Sequence, residues 1–196
     1  MKSYDKSEKI DRIIQSTQEL ILSNGIDNLT IRKIAKNANV SIGTIYRYFP
    51  DGIFSIIKEM TKNFKNQFID NGIEHIIDYT DLTSFIRFIL DKQIFLHHQN
   101  LELLRAFEYL KIQNPKFYRG LGDFMQFDEN KIVQILSKFS EYASYDLNKL
   151  KDRFYEGYCI IDGAIHQHIL YNRITDTDAE LAHILAILLK KCLEIP

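Results

Sequence analysis

The chain has 196 residues, a formal net charge of −1 and 26% charged residues. With 45% hydrophobic residues it has the apolar content to bury a real core, in one large or two small domains, which excludes a disordered chain. Two cysteines without paired spacing exclude a disulfide framework, and no apolar run approaches membrane-spanning length. The charge is unevenly spread. Residues 1–64 carry 10 Lys+Arg against 7 Asp+Glu, a balance of +3, and residues 65–196 carry 15 against 19, a balance of −4. A basic excess in one half is the footprint of a nucleic-acid partner, and here it is modest.

Three prolines and eight glycines leave long uninterrupted stretches, and strand-like alternation is absent. The chain is predicted to be all-α. The first helix is expected over Ser7 to Asn24, with Ile10, Ile13, Ile14, Thr17, Leu20 and Ile21 on one face and Gly25 as its stop. It packs over two short helices read from TIRKIAKNANVSIGTIYRYF, residues Thr30 to Phe49. Thr30 is an N-cap, and Ile31, Ile34, Ala35 and Ala38 form a narrow apolar stripe with Arg32, Lys33 and Lys36 opposite. Asn39 tolerates the left-handed backbone of a sharp turn, and Val40 is the apolar plug between the helices. Ser41 caps the second helix, whose Ile42 and Ile45 turn to the core.

That second helix exposes Gly43, Thr44, Tyr46, Arg47 and Tyr48, a set of small, hydroxyl-bearing and cationic groups with little use in a core. A major groove admits one helix, and hydroxyls and guanidinium suit phosphate oxygens and base edges. Gly43 costs helix stability, which is understandable where DNA must approach the backbone. The layout is that of a helix-turn-helix DNA reader. An ordinary helical hairpin is the bland alternative, and the additional residues at fixed offsets weigh against it.

Those offsets carry a resemblance. From about Lys9 to Ile57 the chain resembles the N-terminal domain of the TetR family of transcriptional regulators, on Thr30-Ile31-Arg32-Lys33-Ile34-Ala35, Ala38-Asn39-Val40-Ser41 and Gly43-Thr44-Ile45-Tyr46-Arg47-Tyr48-Phe49. The resemblance implies a DNA-binding domain over 1–50 and a helical ligand-binding and dimerisation domain over 51–196. It implies that Thr44, Tyr46, Arg47 and Tyr48 face double-stranded DNA and that Thr30 touches a phosphate, with Val40, Ile45 and Phe49 structural. Arg32, Ser41 and Gly43 complete the expected contact set. Two positions depart from the family pattern. Asn39 stands where glycine is usual, and Pro50-Asp51-Gly52-Ile53 lacks the lysine that usually opens the fourth helix and touches phosphate.

A longer helix is predicted over Asp51 to Asp70, with Phe54, Ile57, Met60 and Phe64 facing one way. Leu82 to Leu96 is apolar almost all round and so reads as a buried helix. Another helix runs from Leu101 to Ile112, ended by Asn114-Pro115; Pro115 opens the next, and Gly120 and Gly122 predict a break near Phe124. The last two helices, Asp146 to Asn172 and Asp178 to Leu193, are two-faced. In the final one Leu181, Ile184, Leu185 and Leu188 form one stripe, and Ala182, Ala186, Leu189 and Leu193 a second. Gly157, Gly163 and Ala164 permit close helix approach.

The resemblance adds that such helices form a homodimer interface, for which Gly163, Ala164, His168, Leu181, Ile184, Leu185 and Leu188 are the candidates. A twofold dimer sets two recognition helices about 34–36 Å apart and asks for a near-palindromic operator. The resemblance also implies a small-molecule pocket in the body. Its candidate lining is Phe88, Phe95, Phe107, Tyr109, Phe117, Phe124, Phe127 and Tyr158, although core packing explains each one singly. A small hydrophobic effector is expected, fatty acyl-CoA first, with Lys111, Lys116 and Arg119 at the pocket mouth and planar drugs or other lipids as alternatives.

A helical enzyme or metal-binding protein is the rival class. Asp162 with His166, and His98 with Glu102, have the spacing of a metal pair, but the sequence indicates no third ligand, and neither His97–His98 nor His166–His168 shares a helix face. The expectation is therefore a non-enzyme with no metal and no cofactor. Cys159 and Cys192 read as buried free thiols, and the polar start MKSYDKSEK predicts no signal peptide, hence a cytoplasmic protein without a membrane partner.

Overall fold

Capping residues set most of the helix boundaries. The computed structural model describes residues 6–113, 129–142 and 144–194, and their side chains except at 64–71 and 129–130. In chain order, α1 is Lys6–Asn24, α2 Ile31–Asn37, α3 Ile42–Tyr48, α4 Ile53–Glu74, α5 Leu82–Gln99, α6 Leu101–Gln113, α7 Glu129–Ser137, α8 Leu147–Leu170 and α9 Asp178–Leu193. Single turns of 3₁₀ helix lie at Ile26–Asn28, Ile76–Asp78 and Ser140–Tyr142. Among the described residues there is no strand. The side chains of Thr30, Ser41, Asp146 and Thr177 each accept a backbone N–H at the start of their helices. Asp81 does the same for α5, accepting from Ser84 N at 2.9 Å. Helix α7 lies in a stretch where periodicity gave no expectation. Pro115 and the break expected near Phe124 lie outside the described residues.

The described residues group into two units. The first holds 6–65 and 100–113, and the second holds 66–99, 129–142 and 144–194, so α4 contributes to each. In the first, α1 packs on α2 and on α6, and α2 packs on α3. Its core includes Ile13, Ile34, Ile45, Ile56 and Ile57, all 0% exposed. The grouping differs from a boundary at residue 50, because α6 buries Leu104, Ala106, Phe107 and Leu110 and packs along α1.

In the second unit α5 packs along α9, and α8 packs against α9, α7 and α5. Gly157 sets the α8–α9 spacing: a Cβ there would lie 2.8 Å from Leu189 Cδ1 and 3.0 Å from Cys192 Cβ. The two stripes expected on α9 divide differently: Leu181 and Leu185 of the first join Ala182, Ala186, Leu189 and Leu193 of the second in the chain's own core, while Ile184 and Leu188 stay exposed. Cys159 is exposed and Cys192 half-buried, both as free thiols, so the expectation of two buried thiols fails. The helical register turns Cys159 outward between the buried Tyr158 and Ile161.

Candidate nucleic-acid interface and the polar cluster of the body

The turn between α2 and α3 is built from backbone hydrogen bonds. Asn39 adopts φ 51°, while Val40 N donates to Ala35 O at 3.0 Å and Asn39 N to Lys36 O at 3.3 Å. This pair of bonds is a Schellman ending, and asparagine fills it in place of glycine. Arg12 of α1 strengthens the same corner. Its guanidinium donates to the carbonyl of Ala38, the C-cap of α2, where the helix dipole favours a cation. Sequence reading missed Arg12; an arginine within the apolar face of a helix was its only signal.

On α3 the caps and the core leave one face outward. Ser41 Oγ accepts from Thr44 N at 3.0 Å and lies 2.9 Å from Thr44 Oγ1, orienting both hydroxyls. Ile45 is fully buried beneath them. Ser41, Gly43, Tyr46 and Arg47 are exposed, Thr44 and Tyr48 half-buried, and a Cβ added at Gly43 would meet only Ser41 Oγ, at 3.8 Å, among the described residues outside its own turn. Thr30 and Arg32 are exposed at the start of α2. Among the described residues Arg32, Lys36 and Arg47 make no salt bridge, whereas Lys33 donates to Asn28 O at 2.9 Å.

Asp51, whose charge opposes DNA, turns to its own helix. Ser55 Oγ donates to Asp51 Oδ2 and accepts from Asp51 N, both at 3.1 Å, at the N-terminal end of α4. Gly52 adopts φ 63° with its α-carbon against Ile31 and Tyr46: an added Cβ would lie 3.3 Å from Ile31 Cδ1 and 3.5 Å from Tyr46 Cε1. Tyr46 is thereby braced at its ring while 49% of the residue remains exposed.

The body has an apolar cavity of about 40 Å³, lined from α5, α7, α8 and α9 by residues that include Phe85, Ile89, Ile132, Phe154, Tyr158 and Leu189. A water needs roughly 10–15 Å³ by this measure, so the cavity is a few water-sized units in volume, and its lining is almost wholly apolar. Of the expected lining, Tyr158 is at the cavity. Phe88 packs on His75 and Tyr79, and Phe95 is 58% exposed, because the register of α5 carries it away from Phe85 and Ile89. Phe107 and Tyr109 belong to the first unit. Phe107 is buried there, and the Tyr109 phenol bonds the Asp27 carboxylate, which raises its pKa. Lys111 pairs with Glu108 at 2.5 Å. Phe117, Phe124, Phe127, Lys116 and Arg119 lie outside the described residues.

Of the residues expected at a partner, Leu181, Leu185 and His168 are 1%, 4% and 3% exposed within their own chain. His168 accepts from Ile174 N at Nδ1 (2.9 Å) and so donates through Nε2 to Asp178 Oδ1 at 3.2 Å, stapling the α8–α9 turn. Asp178 also meets Arg173 and His98 at 3.0 Å each. Burial raises its pKa, but the His168 and Arg173 bonds and the nearby positive charge prevail and hold it below the usual carboxylate range. The outward apolar face consists of Ile160 on α8 and Ile184, Ile187 and Leu188 on α9, beside an open Gly163 and half-buried Ala164.

Inside the body, a third group joins the Asp162–His166 pair, against expectation. His97 of α5, Asp162 and His166 are all buried and each offers one ligand atom, the three lying within 4.8 Å of one another. His97 and His98 are neighbours in sequence, but in the helix His97 faces the core and His98 solvent. Gln93, also missed, donates Nε2 to Asp162 Oδ1 at 2.8 Å. Its signal was an amide on the apolar face of α5, four residues before a histidine. The Tyr158 phenol lies 3.5 Å from the same carboxylate oxygen; burial, then that charge, raises its pKa well above the ordinary value.

Residues 13–51 match the family described as bacterial regulatory proteins, tetR family. That N-terminal segment carries the DNA-binding domain of the TetR family. It is 28% identical over 127 residues to an HTH-type transcriptional regulator of Staphylococcus aureus, a match spanning 61% of this chain and 66% of that protein. The fold is that of TetR-family proteins. Thermus thermophilus FadR, a transcriptional repressor solved with lauroyl-CoA, superposes with a TM-score of 0.72 at 18% identity over 95% of this chain and 96% of that one. FadR of Bacillus subtilis, solved with stearoyl-CoA, gives 0.61 at 21% identity over 91% and 96%. Among the described residues no helix is long and apolar enough to cross a membrane.

Proposed function

We propose that this TetR-family chain is a homodimeric transcriptional repressor, which reads a near-palindromic operator with α3 and is released from it by a small hydrophobic effector. The observation that carries the reading is the exposed face of α3 and α2, where Arg32, Lys36 and Arg47 make no salt bridge among the described residues and the hydroxyls of Ser41 and Thr44 are held in place. Cations without internal partners release counterions when they meet phosphates, so binding falls steeply with salt. Thr30, Arg32, Ser41, Gly43, Thr44, Tyr46, Arg47 and Tyr48 are the proposed contacts.

Two chains pair, in this reading, through Ile160, Gly163, Ala164, Ile184, Ile187 and Leu188, the apolar face that α8 and α9 leave outside their own core. Fatty acyl-CoA is the leading effector. Its support is the acyl-CoA bound by two FadR proteins of similar fold, together with the apolar lining contributed by α5 and α7. A chain of that length requires the cavity to widen, so the cavity-lining Ile89, Ile132 and Phe154 are the proposed contacts with Tyr158. The reading is tested by anisotropy of labelled operator DNA. Long-chain acyl-CoA releases the DNA and free CoA does not; release by a planar dye alone, or by neither, contradicts the acyl-CoA assignment.

A further inference from the structure

We infer that His97, Asp162 and His166 form a binding site for one divalent first-row transition-metal ion, clamping α5 to α8, with Gln93 supplying a further donor. Two imidazoles and a carboxylate suit such an ion better than magnesium or calcium, which favour all-oxygen sites. Metal–ligand bonds of roughly 2.0–2.2 Å place neighbouring donor atoms roughly 3–3.5 Å apart. His166 Nε2 lies 3.6 Å from Asp162 Oδ1, and the His97 and His166 rings meet edge to face with centroids 5.1 Å apart. A small contraction closes the three donors around an ion.

Gln93 provides an independent sign. It is 0% exposed, and its Oε1 is buried without a hydrogen-bond partner among the described residues, an arrangement that carries the full desolvation cost of the group. Its Nε2 lies 2.8 Å from Asp162 Oδ1 and 3.4 Å from His97 Nε2. An amide N–H directed at His97 Nε2 meets a lone pair, so that imidazole presents its unprotonated nitrogen to the centre, as a metal requires. Rotating the amide by half a turn exchanges Nε2 for Oε1. The oxygen then stands where Nε2 lay, facing Asp162 Oδ1 and His97 Nε2, where a cation relieves the contact of acceptors, and the amide NH2 takes the buried position that Oε1 held. The same rotation without a cation sets two acceptors against each other.

The test uses the full chain stripped with chelator, titrated with Zn²⁺ by calorimetry and with Co²⁺ by visible absorption. One Zn²⁺ per chain is expected, with a raised Tm and a Co²⁺ d–d band that Zn²⁺ abolishes. Asp162→Asn keeps the side-chain size and removes the ion; His97→Ala and His166→Ala do the same, with circular dichroism verifying that each variant is folded. Gln93→Leu, which removes the further donor together with its bond to Asp162, weakens Zn²⁺ by at least about 10-fold. His183→Ala, on the exposed face of α9, leaves affinity unchanged. Folded wild-type chain that takes up no Zn²⁺, or uptake that survives in folded Asp162→Asn and Gln93→Leu, overturns the site and leaves a buried hydrogen-bonded cluster.

Discussion

The DNA-reading segment draws its working residues from one contiguous run, Thr30 to Phe49, while the buried cluster of the body joins Gln93 to Asp162 across 69 positions. In the first, each backbone turn is specified by the residue that occupies it: Thr30 and Ser41 cap, Asn39 enters the left-handed region, and Ile45 anchors. Arg32, Lys36 and Arg47 point outward there and make no salt bridge among the described residues. In the body the polar groups point inward, and their meaning depends on which helices meet. A local pattern discloses a surface; a buried site appears only once the packing is known.

The contrast can be broken from either side. The largest effect is expected at Ile45, fully buried under the outward face of α3: Ile45→Ala costs ~2–5 kcal/mol of stability and DNA binding falls with it, as paired denaturant melts and anisotropy would show. Arg47→Ala separates the two, weakening specific DNA binding by ~1–3 kcal/mol with Tm unchanged if it reads a base. A uniform loss across all sequences would make Arg47 a phosphate anchor instead. In the body, Gly157→Ala forces a Cβ against Leu189 and Cys192 and costs ~1–3 kcal/mol in urea melts.

Acid sharpens the comparison. The carboxyls of Asp81 and Asp178 both sit below their ordinary pKa, Asp81 chiefly through its bond from Ser84 N and Asp178 through His168 and Arg173 despite its burial. A depressed folded pKa contributes stability that is fully present above the unfolded value of 3.8 and is lost as pH falls through the folded value. Melts of wild type against Asp178→Asn should therefore converge below about pH 4 and separate above it. The smallest effect is at Gly163, which has open space around it: Gly163→Ala raises the stability of the isolated chain by up to ~1 kcal/mol. If α8 and α9 pair two chains there, the same change shifts the sedimentation profile towards monomer.

Much of the fold was legible. The helix at Asp178–Leu193 falls where periodicity put it, and α1, α5 and α6 lie within a few residues of expectation. Those segments have long apolar periods and clear stops such as Gly25, whose N–H bonds Ile21 O at φ 72°. Helix α3, Ile42–Tyr48, was readable from its Ser41 cap and the Asn39 turn before it. The faces of α9 were not, because its two apolar stripes have equal claims until α5 and α8 pack on the side that includes both Leu181 and Ala182. Nor were the pocket residues, since an aromatic at helical spacing says how much it can bury and not against what: Phe95 is exposed while Phe154 lines the cavity. His97 and Gln93 needed α8 to give them partners.

In the proposed function, the outward face of α3 is a sequence reader presented twice by a twofold dimer. It is tested most directly by incubating the purified chain with fragmented genomic DNA at moderate salt and sequencing the retained fragments. The account predicts an enriched near-palindrome with half-site centres about one helical turn, or a small multiple of it, apart. Retention that follows fragment length with no enriched sequence would contradict it.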